Sequence, residues 1–123
     1  MISNKLYALC LIVKDFDKSF NFYTNIMGFE VNTNGKPFAD FKMGESSLAI
    51  FERRGATAML PDKFMNKGGG VIIAFQVDNI ETEVRNIKSK GIDIVEGPKE
   101  TEWGQKVAYF LDPDENIIEL SQK

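Results

Sequence analysis

The chain has 123 residues, 43% hydrophobic and 27% charged, a balance that fits an ordinary soluble core and contains no apolar run of membrane-spanning length. Its net charge of −3 leaves no basic footprint for a nucleic-acid partner, and the absence of histidine removes imidazole ligands and every histidine-activated nucleophile. Cys10 is the single cysteine and cannot form an internal disulfide, so a reducing cytoplasm is the expected location; Met1-Ile2-Ser3-Asn4-Lys5 carries no signal-peptide apolar region.

In chain order, Leu6 to Val13 reads as a buried strand. Asp15 is a plausible N-cap for a helix reaching Met27, with Phe16, Phe20, Tyr23 and Met27 at helical spacing. Gly28 ends that helix. A short strand at Phe29–Asn32 leads to a turn at Asn34-Gly35, and Phe38–Met43 with Leu48–Glu52 reads as a hairpin joined at Gly44-Glu45. Residues 54–69 form a linker, with regular structure unlikely throughout. A strand at Val71–Val77, a helix at Ile80–Lys90 ended by Gly91, and a strand at Ile92–Val95 follow. Gly97-Pro98 breaks the chain, and Lys106–Leu111 with Ile117–Leu120 makes a last hairpin around Asp112-Pro113-Asp114-Glu115-Asn116.

The order is the same twice. Setting Val13 on Val77, a shift of 64 positions, aligns apolar with apolar through the strand and into the helix. One domain, 1–123, therefore holds two β-α-β-β-β modules, 1–53 and 70–123. The fold class is α+β: a curved mixed sheet around a cleft, helices outside.

These residues carry a resemblance. Val13-Lys14-Asp15, Ser19, Phe22-Tyr23, Met27-Gly28-Phe29, Trp103-Gly104, Phe110-Leu111-Asp112-Pro113-Asp114 and Ile118-Glu119-Leu120 together resemble the vicinal-oxygen-chelate superfamily, which includes glyoxalase I, extradiol dioxygenases, fosfomycin-resistance enzymes and bleomycin-resistance proteins. The resemblance implies two modules forming a concave site, often completed in a homodimer. Glu115 departs from the glycine usual in that turn, and Asn116 is expected to supply the left-handed residue instead.

The resemblance also locates four metal-ligand positions, which here carry Ala8, Ala49, Ile72 and Glu119. One carboxylate cannot hold a catalytic divalent ion, so no metal and no cofactor are expected. Glu52 is turned away by strand alternation unless a bulge intervenes.

Period-two alternation then gives an inventory of the cavity face. Ala8, Cys10 and Ile12 share it with Ser47, Ala49 and Phe51; Ile72, Ala74 and Gln76 share it with Ile117, Glu119 and Ser121. Leu9, Leu11, Val13, Ile73, Phe75, Val77, Ile118 and Leu120 face the helices. Candidate ligand-binding residues are Trp103, Phe51, Phe38, Tyr109, Glu119, Cys10 and Gln76, and Glu119 is the only catalytic candidate.

Each has a plainer reading beside the functional one. Glu119 is a cation binder or general base, or else a relic reaching solvent or paired with a Lys or Arg. Trp103 holds a planar ligand, as the similar Trp-Gly does in bleomycin-resistance proteins, or lids the chain's own core. Phe38, Phe51 and Tyr109 are ligand platform or core, and Cys10 a nucleophile or a small buried hydrophobe. Met59-Leu60-Pro61 with Phe64-Met65 is a flap or a dimer contact, Gly68-Gly69-Gly70 lacks the following helix that a phosphate loop needs, and Arg53 and Arg54 end a strand as anion contacts or a solvated pair.

The function expected first is metal-independent binding of a small, partly aromatic molecule in the clefts of a homodimer, as bleomycin-resistance proteins do. The alternative is a glyoxalase-like lyase or isomerase, or a dioxygenase-related enzyme. A metal-free enzyme would rely on Glu119, Tyr109 or Cys10. A ligand-sensing subunit is a third class, with no charge block to mark it out.

Overall fold

Both helices that follow the first strands are started by a side chain that stands in for a missing backbone acceptor. In the computed structural model, which describes residues 4, 6–58, 60–61 and 71–122, Asp15 accepts a hydrogen bond from the Lys18 N–H at 3.0 Å. Asn79, its repeat counterpart, accepts from the Thr82 N–H, also at 3.0 Å. Both caps are extended, at φ −125° and −138°, as N-cap geometry requires. Gly28 (φ 78°) and Gly91 (φ 84°) close the two helical segments in the left-handed conformation open to glycine at little cost.

The elements are β1 (Ala8–Val13), α1 (Phe16–Asn21) continued by a π-helical turn (Phe22–Ile26), β2 (Val31–Gly35), β3 (Phe38–Met43), β4 (Ser46–Glu52) and α2 (Arg53–Ala56). They continue with β5 (Ile72–Gln76), α3 (Ile80–Ser89), β6 (Glu96–Glu100), β7 (Lys106–Leu111) and β8 (Ile117–Gln122). The chain divides into two compact units, Met1–Lys67 and Gly68–Lys123. Each holds one mixed four-stranded sheet, in orders β1-β4-β3-β2 and β5-β8-β7-β6. The orders are equivalent, so the sequence repeat is a repeat of topology. The parallel pairs are β1 with β4 and β5 with β8; the remaining ladders are antiparallel.

In the first unit, Leu11, Val13, Phe41, Leu48 and Ile50 are buried on the sheet face that meets α1. Phe41 anchors an aromatic cluster, with ring centroids 6.0 Å from Tyr23, 6.2 Å from Phe29 and 6.4 Å from Phe20. In the second unit Ile80, Val84 and Ile87 of α3 are buried, as are Ile73, Phe110, Ile118 and Leu120 of the sheet it packs on. Fully burying one such aliphatic or aromatic side chain contributes about 1.5–3 kcal/mol.

Four local expectations are corrected. The strand expected at Ile92–Val95 lies later, at Glu96–Glu100, so Gly97-Pro98 sits inside it rather than ending it. A register irregularity between Glu96 and Lys99 accommodates them, because proline cannot donate to a ladder. The strand expected at Phe29–Asn32 is Val31–Gly35, and the turn falls at Lys36-Pro37 rather than Asn34-Gly35. Arg53 and Arg54 open a short helix instead of ending a strand. In the last hairpin Glu115 itself is left-handed, at φ 65°, and Asn116 instead closes the turn. Asp112 Oδ1 accepts from the Asp114 and Asn116 N–H groups, and its Oδ2 from the Asn116 side-chain amide. This network over-determines a position that costs roughly 1 kcal/mol for a non-glycine residue.

The expectations for Met59, Phe64-Met65 and Gly68-Gly69-Gly70 lie outside the described residues. No helix is long and apolar enough to cross a membrane.

Candidate functional site

A four-stranded sheet with a helix on one side has a second face, and strand register decides what meets there. In the first unit one row across that face runs Cys10–Ala49–Asp40–Thr33, and the next Ile12–Phe51–Phe38–Gly35. In the second unit Ala74–Glu119–Tyr109–Glu96 corresponds to the Cys10 row and Gln76–Ser121–Val107 to the Ile12 row, while Ile72–Ile117–Leu111 lies one step the other way. Ala49 and Glu119 hold matching places in the two sheets, and so do Asp40 and Tyr109.

The second-unit row contains the most chemically specific contact. The Tyr109 hydroxyl donates to Glu119 Oε1 at 2.6 Å. Both side chains are half-buried. The hydrogen bond to Glu119 is the main reason the Tyr109 phenol is raised above its ordinary value; desolvation and the carboxylate charge act in the same direction. Glu119 thus pairs with a phenol, where a Lys or Arg partner was one expectation. Gln76 and Ser121 form the next register pair on that face, and Gln76 is exposed.

In the first unit Phe38 and Phe51 meet edge to face, centroids 5.9 Å apart, both half-buried. Gly55 of α2 lies against Phe51 and Pro37: a Cβ there would come within 2.7 Å of both. Cys10 is exposed, correcting the expectation of a buried hydrophobe, and desolvation of its thiol raises its pKa. A raised pKa lowers the thiolate fraction, opposite to what a nucleophile needs. Trp103 lies in the turn before β7, 74% exposed, its indole N–H donating to Gln105 Oε1 at 3.0 Å. It does not lid the core.

Asp40 went unnoticed in the sequence. It stands in register with Ala49, and its carboxylate accepts from Ser47 Oγ (3.0 Å), Asn32 Nδ2 (3.2 Å) and the Thr33 N–H (2.8 Å). Desolvation raises its pKa, but the hydrogen bonds from Ser47, Asn32 and Thr33 together outweigh it, leaving the carboxyl below its usual value. The bonds tie β2, β3 and β4 together at the register shift between Val31 and Thr33. The period of two applied to Phe38–Met43 finds this residue, since Phe38, Asp40 and Lys42 must share a face.

The residues at the four positions where metal-using members of the resembled family carry ligands do not fit a divalent ion. Ala8, Ala49 and Ile72 offer no donor atom, and Glu119, the one carboxylate among the four, accepts the Tyr109 hydroxyl hydrogen bond. Among the described residues no group of three or more His, Cys, Asp or Glu side chains is placed to hold a metal.

Two successive βαβββ modules with equivalent strand orders define an α+β protein of repeated-module type. The chain belongs to the Glyoxalase/Bleomycin resistance protein/Dioxygenase superfamily, whose family model matches residues 5–120. It is similar to Bacillus subtilis (strain 168) YraH, described as an uncharacterized protein, with 28% identity over 123 aligned residues covering 94% of this chain and 96% of the relative. It is 31% identical over 120 residues to a probable lactoylglutathione lyase of Synechocystis sp. (strain ATCC 27184 / PCC 6803 / Kazusa), covering 89% of this chain and 88% of that one. A glyoxalase/bleomycin resistance protein/dioxygenase family enzyme from Burkholderia phytofirmans PsJN has the same fold, with a TM-score of 0.83 at 20% identity, covering 94% and 95% of the two chains.

Proposed function

We propose that this protein is a metal-independent binder of a small, partly aromatic molecule, held on the sheet faces that turn away from the helices. The observation that carries the reading is the chemistry of each sheet taken by itself: Ala8, Ala49 and Ile72 stand where donors would be needed, while Phe38 and Phe51 offer aromatic surface in the first unit, and in the second Gln76 offers a polar contact and Trp103, in the turn before β7, an exposed ring. Such a mixture suits a small-molecule site, and members of this superfamily typically take small molecules. A bleomycin-like glycopeptide is the first ligand class in this proposal. The proposal includes a homodimer, the commonest assembly of soluble proteins, and a cytoplasmic location, supported by the lone cysteine.

The first test is a fluorescence titration of Trp103, the only tryptophan, with a bleomycin-type glycopeptide, followed by recovery of the ligand. A saturable signal with unchanged ligand supports sequestration. Metal content after exposure to zinc, nickel and manganese is the second test: one tightly held ion per protomer overturns the reading.

One observation favours an enzyme instead. The 2.6 Å Tyr109–Glu119 contact is of a kind that serves acid-base chemistry, and a probable lactoylglutathione lyase is among the relatives. Chemical alteration of the recovered ligand, abolished by Glu119→Gln, would establish that reading in place of sequestration.

A further inference from the structure

A half-buried carboxylate requires a partner, and the partner that Glu119 has found leaves a defined set of lone pairs unused. Tyr109 has one hydroxyl proton and gives it to Glu119 Oε1. What the couple offers to anything else is therefore acceptors alone: the lone pairs of Glu119 Oε2 and those of the phenol oxygen. The bond to Glu119 also raises the phenol's pKa, so it keeps its proton at neutral pH.

Among the described residues the ion pairs pass Glu119 by. Lys36 meets Asp17 and Glu52, Lys99 meets Glu96 on the far side of Tyr109, and Lys106 meets Glu81. The setting along the sheet face is asymmetric. One register step away lie Ile72, 54% exposed, and Ile117; one step the other way lie Gln76 and Ser121. The face thus combines adjacent acceptors, aliphatic surface on one side and a polar pair on the other.

We infer that the Tyr109–Glu119 couple recognises an organic cation with two neighbouring N–H donors, an amidinium or guanidinium, whose apolar body lies along Ile72 and Ile117. An inorganic divalent ion fits poorly, because it needs several oxygen donors where one carboxylate stands. A planar N–H pair matches two adjacent acceptors directly. The inference rests on the small-molecule-binding reading and narrows its ligand class.

The experiment is a calorimetric titration with benzamidine, an aromatic amidinium, beside benzamide, its uncharged isostere. Benzamidine is expected to bind saturably and at least about tenfold more tightly than benzamide, the scale of a charge-assisted hydrogen bond. Glu119→Gln is expected to weaken benzamidine by about tenfold or more and leave benzamide unchanged. Tyr109→Phe removes one of the two acceptors and keeps the carboxylate, so it is expected to weaken benzamidine severalfold and leave benzamide unchanged, and it serves if Glu119→Gln does not melt cooperatively; undiminished benzamidine affinity in this variant overturns the two-acceptor geometry. Equal affinity for the two probes, or benzamidine binding untouched by Glu119→Gln, overturns the cation assignment while small-molecule binding stands. Saturable binding of neither probe also overturns it; small-molecule binding itself is judged separately, by the glycopeptide titration and the metal content.

Discussion

Replacing Asp40 by alanine tests a carboxylate that the first unit spends on its own architecture. Three donors converge on it: Ser47 Oγ at 3.0 Å, Asn32 Nδ2 at 3.2 Å and the Thr33 N–H at 2.8 Å. A hydrogen bond to a charged group contributes about 1.5–3 kcal/mol when well shielded. Asn32 and Thr33 are exposed and can turn to water, so much of their share is recovered. The expected loss at neutral pH is about 1–2 kcal/mol, dominated by the part-buried Ser47 bond.

The pH dependence gives the sharper reading. The folded pKa of Asp40 lies below the reference value of 3.8. Its stabilisation is therefore fully present above the unfolded value and lost as pH falls through the folded one. Urea denaturation of wild type and Asp40→Ala, run from neutral pH down to about pH 3, measures the difference and cancels titrations the two proteins share. The gap between them should narrow below about pH 4. A gap that stays constant across that range, or none at neutral pH, would refute the argument that the ionised carboxylate ties β2, β3 and β4 together.

Further outcomes follow from the same geometry. Tyr109→Phe removes the hydroxyl from Glu119 and should cost about 1 kcal/mol at neutral pH. Because the folded phenol pKa is raised, that contribution is present below about pH 10 and fades as pH rises through the folded value; alkaline denaturation curves of the two proteins should converge. Gly97→Ala should destabilise by about 2 kcal/mol or more, since φ is +89° and the new Cβ would stand 2.5 Å from the Val107 carbonyl oxygen; a thermal melt within one degree or so of wild type would contradict it. Trp103→Ala should leave stability within about 0.5 kcal/mol, because the ring is exposed, while removing saturable glycopeptide binding; unchanged affinity by calorimetry would remove Trp103 from the site.

Much of this protein is local and was legible from residue order. The Val13/Val77 repeat, the cap at Asp15, the helix ends at Gly28 and Gly91, and the apolar side of the first and last strand of each module depend on spacing within short stretches of chain. They determine two β-α-β-β-β modules and which strand face carries the core. The absence of histidine and the occupants Ala8, Ala49 and Ile72 were equally plain, since they are matters of residue identity.

Register was not local. Nothing near Asp40 in the chain states that it lies opposite Ala49 and within reach of Ser47, because those partners come from another strand. Tyr109 and Glu119 were each singled out from the sequence, but their contact depends on how β7 slides against β8. Gly97-Pro98 reads as a break to any local rule, and only the bulged pairing of β6 with β7 gives it a place inside a strand. Glu115 likewise takes a left-handed conformation that its residue type disfavours, while Asp112 holds the turn from several directions. Spacing along the chain determined the elements and their faces; pairing between distant strands, a one-residue slip of which would turn every side chain to the other face, decided which chemical groups meet.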